Sequence, residues 1–273
     1  MVVLPYLSAI HFSGADAGDF LHNQLSADVL ALTNGESTFA CYCEPKGRVL
    51  ALMLVCMIND DYYVVLSDSL APAISNRLKM YVMRSKVNID VLNEFTVTGL
   101  KESQTPEPTT ASNPAIPIPG STNWFALTTP DTTPDLDINL RNAWKVSELQ
   151  RGLCWLCPET SGQFLPQWLG FDQLGAVNFR KGCYPGQEIV ARTHYLGKVK
   201  RHPRVLCAAT TTCPAQLDKI QIGSNSESYE AVVVDCERSE DHGTCLFVVT
   251  RMDQDLAAED ISHQGQVSPL KRV

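Results

Sequence analysis

Short runs of apolar residues, bounded by polar turn residues, dominate the first hundred positions of the chain. Strands are predicted at 7–12, 38–43 and 87–98. Val49–Ile58 is an apolar run of strand length that can pair as a hairpin with Tyr62–Leu66. Strands in this order, with a helix between the later ones, predict an α+β protein rather than a doubly wound parallel sheet.

Three further segments have the pattern of amphipathic helices. They cover 17–25, 70–81 and 139–151, and Gly152 closes the third. Ser67 or Asp68 can cap the second helix. The inward positions are Phe20, Leu21 and Leu25 in the first helix and Leu70, Ile74, Leu78 and Tyr81 in the second.

The composition changes twice further along. Proline, serine and threonine concentrate in 101–123, which predicts an inserted linker or long surface loop. From about residue 204, short strands alternate with turns, as in a small antiparallel barrel or sandwich. We therefore expect one region at 1–198, containing the 101–123 loop, and a C-terminal domain at 199–273.

Bulk properties restrict the class of protein. The chain has 273 residues, a formal charge of −8 and a pI near 5.2. The acidic balance argues against general nucleic-acid binding, although a local patch could contact RNA. No apolar run is long enough to span a membrane, and the N-terminus lacks the pattern of a secretory signal. The expected location is the cytoplasm.

Ten cysteines need an interpretation. In a chain of this size without a signal, they favour a reducing compartment over a disulfide framework. Cys56, Cys207, Cys236 and Cys245 lie in apolar runs and are interpreted as core residues. Cys154-Trp155-Leu156-Cys157 is a single CxxC motif, for which a metal-binding role, a redox role and no chemical role are the alternatives.

The segment 178–204 inverts the sign of the chain. Seven of the 22 Lys and Arg residues lie there, against one acid, Glu188. Such a local inversion favours an anion site. Within it, Cys183 stands between Gly182 and Gly186, just before a predicted helix that Pro185 can begin. A cysteine before a helix N-terminus and beside basic residues is either a reactive thiol or a plain loop residue.

The residues Lys181-Gly182-Cys183-Tyr184-Pro185-Gly186-Gln187-Glu188 resemble the K-G-C-[aromatic]-x-G-Q-E signature of the YgfZ family. Members of that family are folate-binding relatives of the glycine-cleavage T-protein, an aminomethyltransferase. They act in iron–sulfur protein maturation or repair and are linked to tRNA modification in bacteria. Further similarities follow in the family's order and spacing at 13–16, 20–29, 46–48, 78–87, 161–167 and 174–175.

The resemblance implies a fold and a function. The fold would contain two interleaved ferredoxin-like subdomains of the T-protein type and a C-terminal antiparallel β-barrel around a central channel. The function would be tetrahydrofolate binding in support of iron–sulfur client proteins, such as the tRNA-methylthiolating enzymes. No membrane partner and no direct nucleic-acid binding are expected.

The resemblance also implies roles for individual residues. Cys183 would be the functional thiol, in a loop shaped by Gly182 and Gly186 and completed by Gln187 and Glu188. Trp144 would stack on the pterin. Gln150 falls near the acid that recognises the pterin edge in T-proteins, and Leu7 replaces a second family tryptophan. The residues expected to attract the glutamate tail of folate or a partner are Lys181, Arg192 and Lys198.

Two other functions stay open on the sequence. One is a true tetrahydrofolate-dependent aminomethyltransferase, against which the cysteine signature and Gln150 weigh. The other is a folate- or RNA-binding module without chemistry.

Overall fold

The computed structural model of the protein describes residues 1–104, 114–197, 199–208, 210, 212–224, 227–240, 243–251, 260–264 and 266–271. No helix in these ranges is long and apolar enough to cross a membrane. The strands are β1 (Val2–Val3), β2 (Leu7–Ser13), β3 (Ser37–Cys43), β4 (Val49–Ile58), β5 (Asp61–Ser67), β6 (Asn88–Val91), β7 (Thr96–Leu100), β8 (Ala115–Pro117), β9 (Trp124–Thr128), β10 (Arg201–Ala208), β11 (Lys219–Ser224), β12 (Glu227–Ser239), β13 (Gly243–Arg251), β14 (Asp260–His263) and β15 (Gln266–Lys271). The helices are α1 (Ala17–Gln24), α2 (Ala71–Val82), α3 (Ile138–Gln150) and α4 (Gln187–Tyr195). Short 3-10 helices cover Val29–Ala31, Glu102–Gln104 and Pro166–Leu169.

The first sheet is antiparallel and has the strand order β3-β4-β5-β2-β6. Its centre is the predicted hairpin, in which Ile58 pairs with Asp61 across Asn59 and Asp60. Both turn residues have positive φ, of 52° and 68°. Asn and Asp tolerate that conformation, and a two-residue turn of this kind matches the twist of the strands. The hairpin is confirmed.

The second sheet has the order β1-β7-β9-β8 and corrects one prediction. The single strand expected over 87–98 is two strands, because β6 joins the first sheet and β7 joins the second. A turn closed by the Phe95 N–H and the Leu92 carbonyl separates them. Part of the predicted 101–123 loop also forms the edge strand β8, where Pro117 needs no ladder donor. Residues 105–113 lie outside the described ranges.

The helix boundaries follow from local chemistry. Asp137 caps α3 by accepting the N–H groups of Asn139 and Leu140 at 2.9 and 3.1 Å. Gly152, with φ of 78°, follows the end of that helix as expected. The predicted caps of α2 are wrong, because Ser67 stays in β5, paired with Leu7, and the helix begins only after Leu70.

The last six strands form a closed barrel in the order β10-β13-β12-β11-β14-β15. Two disulfides lie in this part of the chain, Cys207–Cys245 and Cys213–Cys236. The expectation of a reduced protein without disulfides is therefore wrong for Cys207, Cys236 and Cys245. Cys207 and Cys245 are indeed buried, but they face each other in the β10–β13 ladder, which places their sulfurs within bonding distance.

Helix α3 connects the barrel to the rest of the molecule. Lys145 on α3 pairs with Asp235 on β12 at 3.0 Å, and Arg141 pairs with Glu237 on the same strand. One main core spans both open sheets and also takes in Phe247 and Val249 of the barrel. A second, smaller core fills the barrel interior. The helix that carries Trp144 thus lies at the junction of the two cores.

Candidate functional site

The Cys183 loop lies against the turn at 44–48. All ten cysteines are described, and Cys183 is the exposed one among the six without a disulfide. Gly186 ends the loop with φ of 84° and begins α4. A Cβ atom on Gly186 would lie 2.4 Å from the Glu44 carbonyl oxygen and 2.7 Å from Gly47 Cα. This position therefore requires glycine, for its backbone angle and for the close approach of two chain segments. Gly182 is not crowded in this way.

The Lys181 side chain supports the end of α1. Its ammonium donates to the carbonyl oxygens of His22 and Leu25, the second at 2.6 Å, and lies 5.3 Å from the centre of the Tyr184 ring. Burial lowers the pKa of Lys181 to about 8, while Asp28 and Cys183 oppose that shift. The ammonium thus satisfies carbonyl groups that the helix end leaves without donors.

His22 and Asp28 lie beside the same loop. His22 Nδ1 is 3.2 Å from an Asp28 carboxylate oxygen, and His22 Nε2 lies 3.9 Å from where a Cβ atom of Gly182 would stand. Burial, followed by the charge of Lys181, lowers the pKa of His22. Both effects favour the neutral form of the imidazole. The sequence assigned no role to either residue, because both appeared only within a segment similar to the family.

A cleft of about 590 Å³ opens next to this group. Asp28 lines it, together with a second acid, Glu36. Its walls come from 27–38 and 117–121, with Gly175 and Asn178 completing the lining. Asp28 thus lines the cleft and also lies beside His22. It interacts electrostatically with Lys181, which belongs to the Cys183 loop.

The rest of the signature forms the start of α4. Gln187 donates to the Lys181 carbonyl oxygen at 3.3 Å, and Glu188 is exposed in the first turn, where an acid favours the helix dipole. Arg192 is exposed further along the helix. Lys198 lies outside the described residues.

Trp144 is placed elsewhere, on α3. Its side chain is 5% exposed and packs on Phe125, with ring centres 6.3 Å apart. A Cβ atom on Gly99 would lie 2.7 Å from the indole, so the ring is enclosed by β7. Gln150 is half-buried at the end of α3, and Leu7 is a core residue of β2. Neither Trp144 nor Gln150 therefore belongs to the loop that holds Cys183.

Glu148 is a buried acid that sequence reasoning missed. It accepts hydrogen bonds from Tyr6 Oη at 2.9 Å, Trp144 Nε1 at 3.1 Å and Trp155 Nε1 at 3.3 Å. Burial raises the pKa of Glu148 to about 7, against the effect of these three donors. Its position four residues after Trp144 on one helix face was the available indication.

The Cys154–Cys157 pair is unbonded in the structure. Cys157 Sγ lies 3.3 Å from Thr160 Oγ1, and burial raises the pKa of both thiols. Within the described ranges, no three His, Cys, Asp or Glu side chains are grouped as metal ligands would be.

Comparison with solved structures identifies the class of this fold. The glycine cleavage system aminomethyltransferase T from Bartonella henselae superposes with a TM-score of 0.73 at 13% identity, over 98% of this chain and 83% of that one. The fold is therefore of the aminomethyltransferase T class. No protein-family model matches the chain.

Relatives in sequence narrow the class. An uncharacterised protein of Haemophilus influenzae is 31% identical over 205 residues, which are 73% of this chain and 70% of the relative. Proteins from two strains of Aliivibrio fischeri, both named tRNA-modifying protein YgfZ, are 28% identical over 279 residues, or 95% of this chain and 86% of theirs. The chain belongs to the YgfZ family, and the resemblance predicted from the cysteine signature is confirmed.

Proposed function

We propose that this protein binds folate and supports the assembly or repair of iron–sulfur clusters in client enzymes, including tRNA-modifying ones, with Cys183 as its functional thiol. The observation that carries the proposal is the exposure of Cys183 on a loop whose backbone is held by Gly186 against the 44–48 turn. An accessible thiol on a fixed support can contact a cluster, a persulfide or a one-carbon unit carried by folate.

The neighbours of the loop support a chemical role. The pKa of His22 is lowered by burial, and its Nδ1 lies 3.2 Å from an Asp28 carboxylate oxygen. An imidazole beside the cysteine loop, with a carboxylate close to its other nitrogen, is a candidate base for a thiol on that loop. The Lys181 ammonium adds a positive charge close to the sulfur. By contrast, the other unbonded cysteines are buried or, like Cys157, half-buried.

The 590 Å³ cleft is our proposed folate site. Its volume is within the range of small-molecule sites. Asp28 and Glu36 supply carboxylates that can accept the paired N–H groups of a pterin. They would replace the pterin-recognising acid of T-proteins, near whose position this chain has the neutral Gln150. Arg192 and Lys198 stay the proposed contacts of the glutamate tail, as the family resemblance implies. Stacking on Trp144 would first require its enclosed ring to move away from Gly99.

The proposal extends to the organisation of the chain. It assigns 1–198 to the folate-binding region, built as two interleaved ferredoxin-like subdomains, and 199–273 to the C-terminal domain. A cytoplasmic location and iron–sulfur client proteins as partners belong to the same proposal.

Complementation tests the thiol. A strain that lacks the endogenous family protein is supplied with the wild-type chain, with Cys183→Ala or with Cys157→Ala, and methylthiolated tRNA is measured. We expect the wild type and Cys157→Ala to restore the modification and Cys183→Ala to fail. Full restoration by Cys183→Ala would remove the thiol from the mechanism.

Ligand titration tests the folate site. Tetrahydrofolate is added while tryptophan fluorescence or heat is followed, and Asp28→Asn is compared with Asp68→Asn, an exposed acid beyond the end of β5. We expect binding by the wild type and by Asp68→Asn and weaker binding by Asp28→Asn. Absence of binding by the wild type would refute the folate proposal.

The aminomethyltransferase alternative rests on the fold alone. A glycine-cleavage assay with a lipoyl carrier distinguishes it, because clear turnover would replace the accessory function proposed above.

A further inference from the structure

We propose that a groove on the outer face of the barrel binds a phosphate group between Arg201 and Arg251. These residues lie directly opposite each other in the β10–β13 ladder. Both are exposed, and no acid among the described residues pairs with either. Like charges at opposing positions destabilise a sheet, and an anion bound between them removes that cost.

Arg201 is held in place by an aromatic ring. Its guanidinium carbon lies 4.8 Å from the centre of the Trp168 ring, and that of Arg48 lies 5.7 Å from the same ring. Contacts of this kind hold a guanidinium without neutralising its charge. Two arginines from separate segments thus meet at Trp168, and Arg201 is oriented before any ligand arrives.

The groove next to these arginines has a volume of about 520 Å³. Its floor is apolar, from Val232 and Val249, and Ser228 contributes a hydroxyl. Among the described lining residues, Glu230 is the one acid, and its carboxylate is 3.2 Å from the Lys219 ammonium on β11. The described lining thus carries the two positive charges of Arg201 and Arg251 against the one negative charge of Glu230, in a chain whose formal charge is −8.

Phosphate is the anion that fits best. The planar guanidinium donates two parallel hydrogen bonds to phosphate oxygens, and two arginines across one strand pair can hold it from both sides. The phosphate can belong to a free small molecule or to the backbone of an RNA, since both present the same oxygens. The proposed phosphate contacts come from Arg201 and Arg251 rather than from the Cys183 loop, and they do not depend on folate or iron–sulfur chemistry.

Calorimetry with two probes tests the site and separates the sources. Pyrophosphate represents a free phosphate compound, and an oligouridylate of about eight residues represents single-stranded RNA. Arg201→Ala/Arg251→Ala should bind the active probe at least about tenfold more weakly than the wild type. Arg238→Ala is the control, because it removes an exposed arginine near the other end of β12.

The outcomes are distinct. Binding of pyrophosphate alone indicates a free phosphate ligand, and binding of the oligouridylate alone indicates RNA; in both cases the double variant must lose it. Binding of neither probe, or equal binding by the wild type and the double variant, overturns the proposal. If the double variant does not unfold cooperatively, Arg251→Ala replaces it, and the same outcomes apply.

Discussion

Substitution of Gly186 by alanine tests how the cysteine loop is held. Two costs follow from the structure. A non-glycine residue at φ of 84° costs about 1–2 kcal/mol. The added Cβ atom would also meet the Glu44 carbonyl oxygen at 2.4 Å, and relief of such crowding costs about 1–3 kcal/mol more. We expect Gly186→Ala to lower the free energy of unfolding by about 2–5 kcal/mol.

The chain contains a matched control. Gly152 has nearly the same φ, of 78°, but a Cβ atom there would meet nothing within 4 Å. Gly152→Ala therefore has only the cost of the backbone conformation, and it should lower the free energy of unfolding by about 1–2 kcal/mol. Urea unfolding followed by circular dichroism compares both variants with the wild type. Equal losses in the two variants would refute the close contact between the cysteine loop and the 44–48 turn.

Two further predictions concern buried charges. The pKa of Glu148 is raised from 4.5 to about 7, so its stabilising effect is complete below pH 4.5 and is lost as the pH rises through 7. Urea unfolding of the wild type across this pH range should show a fall of about 3 kcal/mol in the free energy of unfolding, and Glu148→Gln should not show it. The same pH dependence in both proteins would contradict the raised pKa of Glu148. Lys181→Met removes the donor to two carbonyl oxygens and should lower the free energy of unfolding by about 1–3 kcal/mol. The control is Lys200→Met, at an exposed position, which should leave the free energy of unfolding almost unchanged. If Lys181→Met also left it unchanged, the Lys181 ammonium would not stabilise the fold, and a role in ligand binding would be favoured.

Elements set by local chemistry were predictable from the sequence. The hairpin of β4 and β5 follows from an apolar run with Asn59 and Asp60 at its turn. Helix α3 follows from its periodicity and from Gly152. The division of 87–98 between two sheets was not predictable, because the strand with which a segment pairs depends on the tertiary fold rather than on the segment itself.

The same limit applies to the site. The eight-residue signature predicted a glycine-shaped loop around Cys183, and the positive φ of Gly186 is a property of that loop alone. The contact of Gly186 with Glu44 and Gly47 depends on the fold. His22 and Asp28 come from a segment some 155–160 positions earlier, and only the fold brings them beside that loop. Glu148 was missed because an acid in an amphipathic helix usually faces solvent. Its buried carboxylate accepts from Trp144 on the same helix and from Tyr6 and Trp155 outside it, and only the fold brings Tyr6 there.

The central claim is that the exposed thiol of Cys183 supports iron–sulfur-dependent tRNA modification. Its most direct test is mass-spectrometric quantification of methylthiolated tRNA in a strain that depends on this chain, with Cys183→Ser compared with Cys157→Ser at equal protein levels. The account predicts that methylthiolation falls to the level of the empty strain with Cys183→Ser and stays at the wild-type level with Cys157→Ser. Wild-type methylthiolation with Cys183→Ser would contradict it.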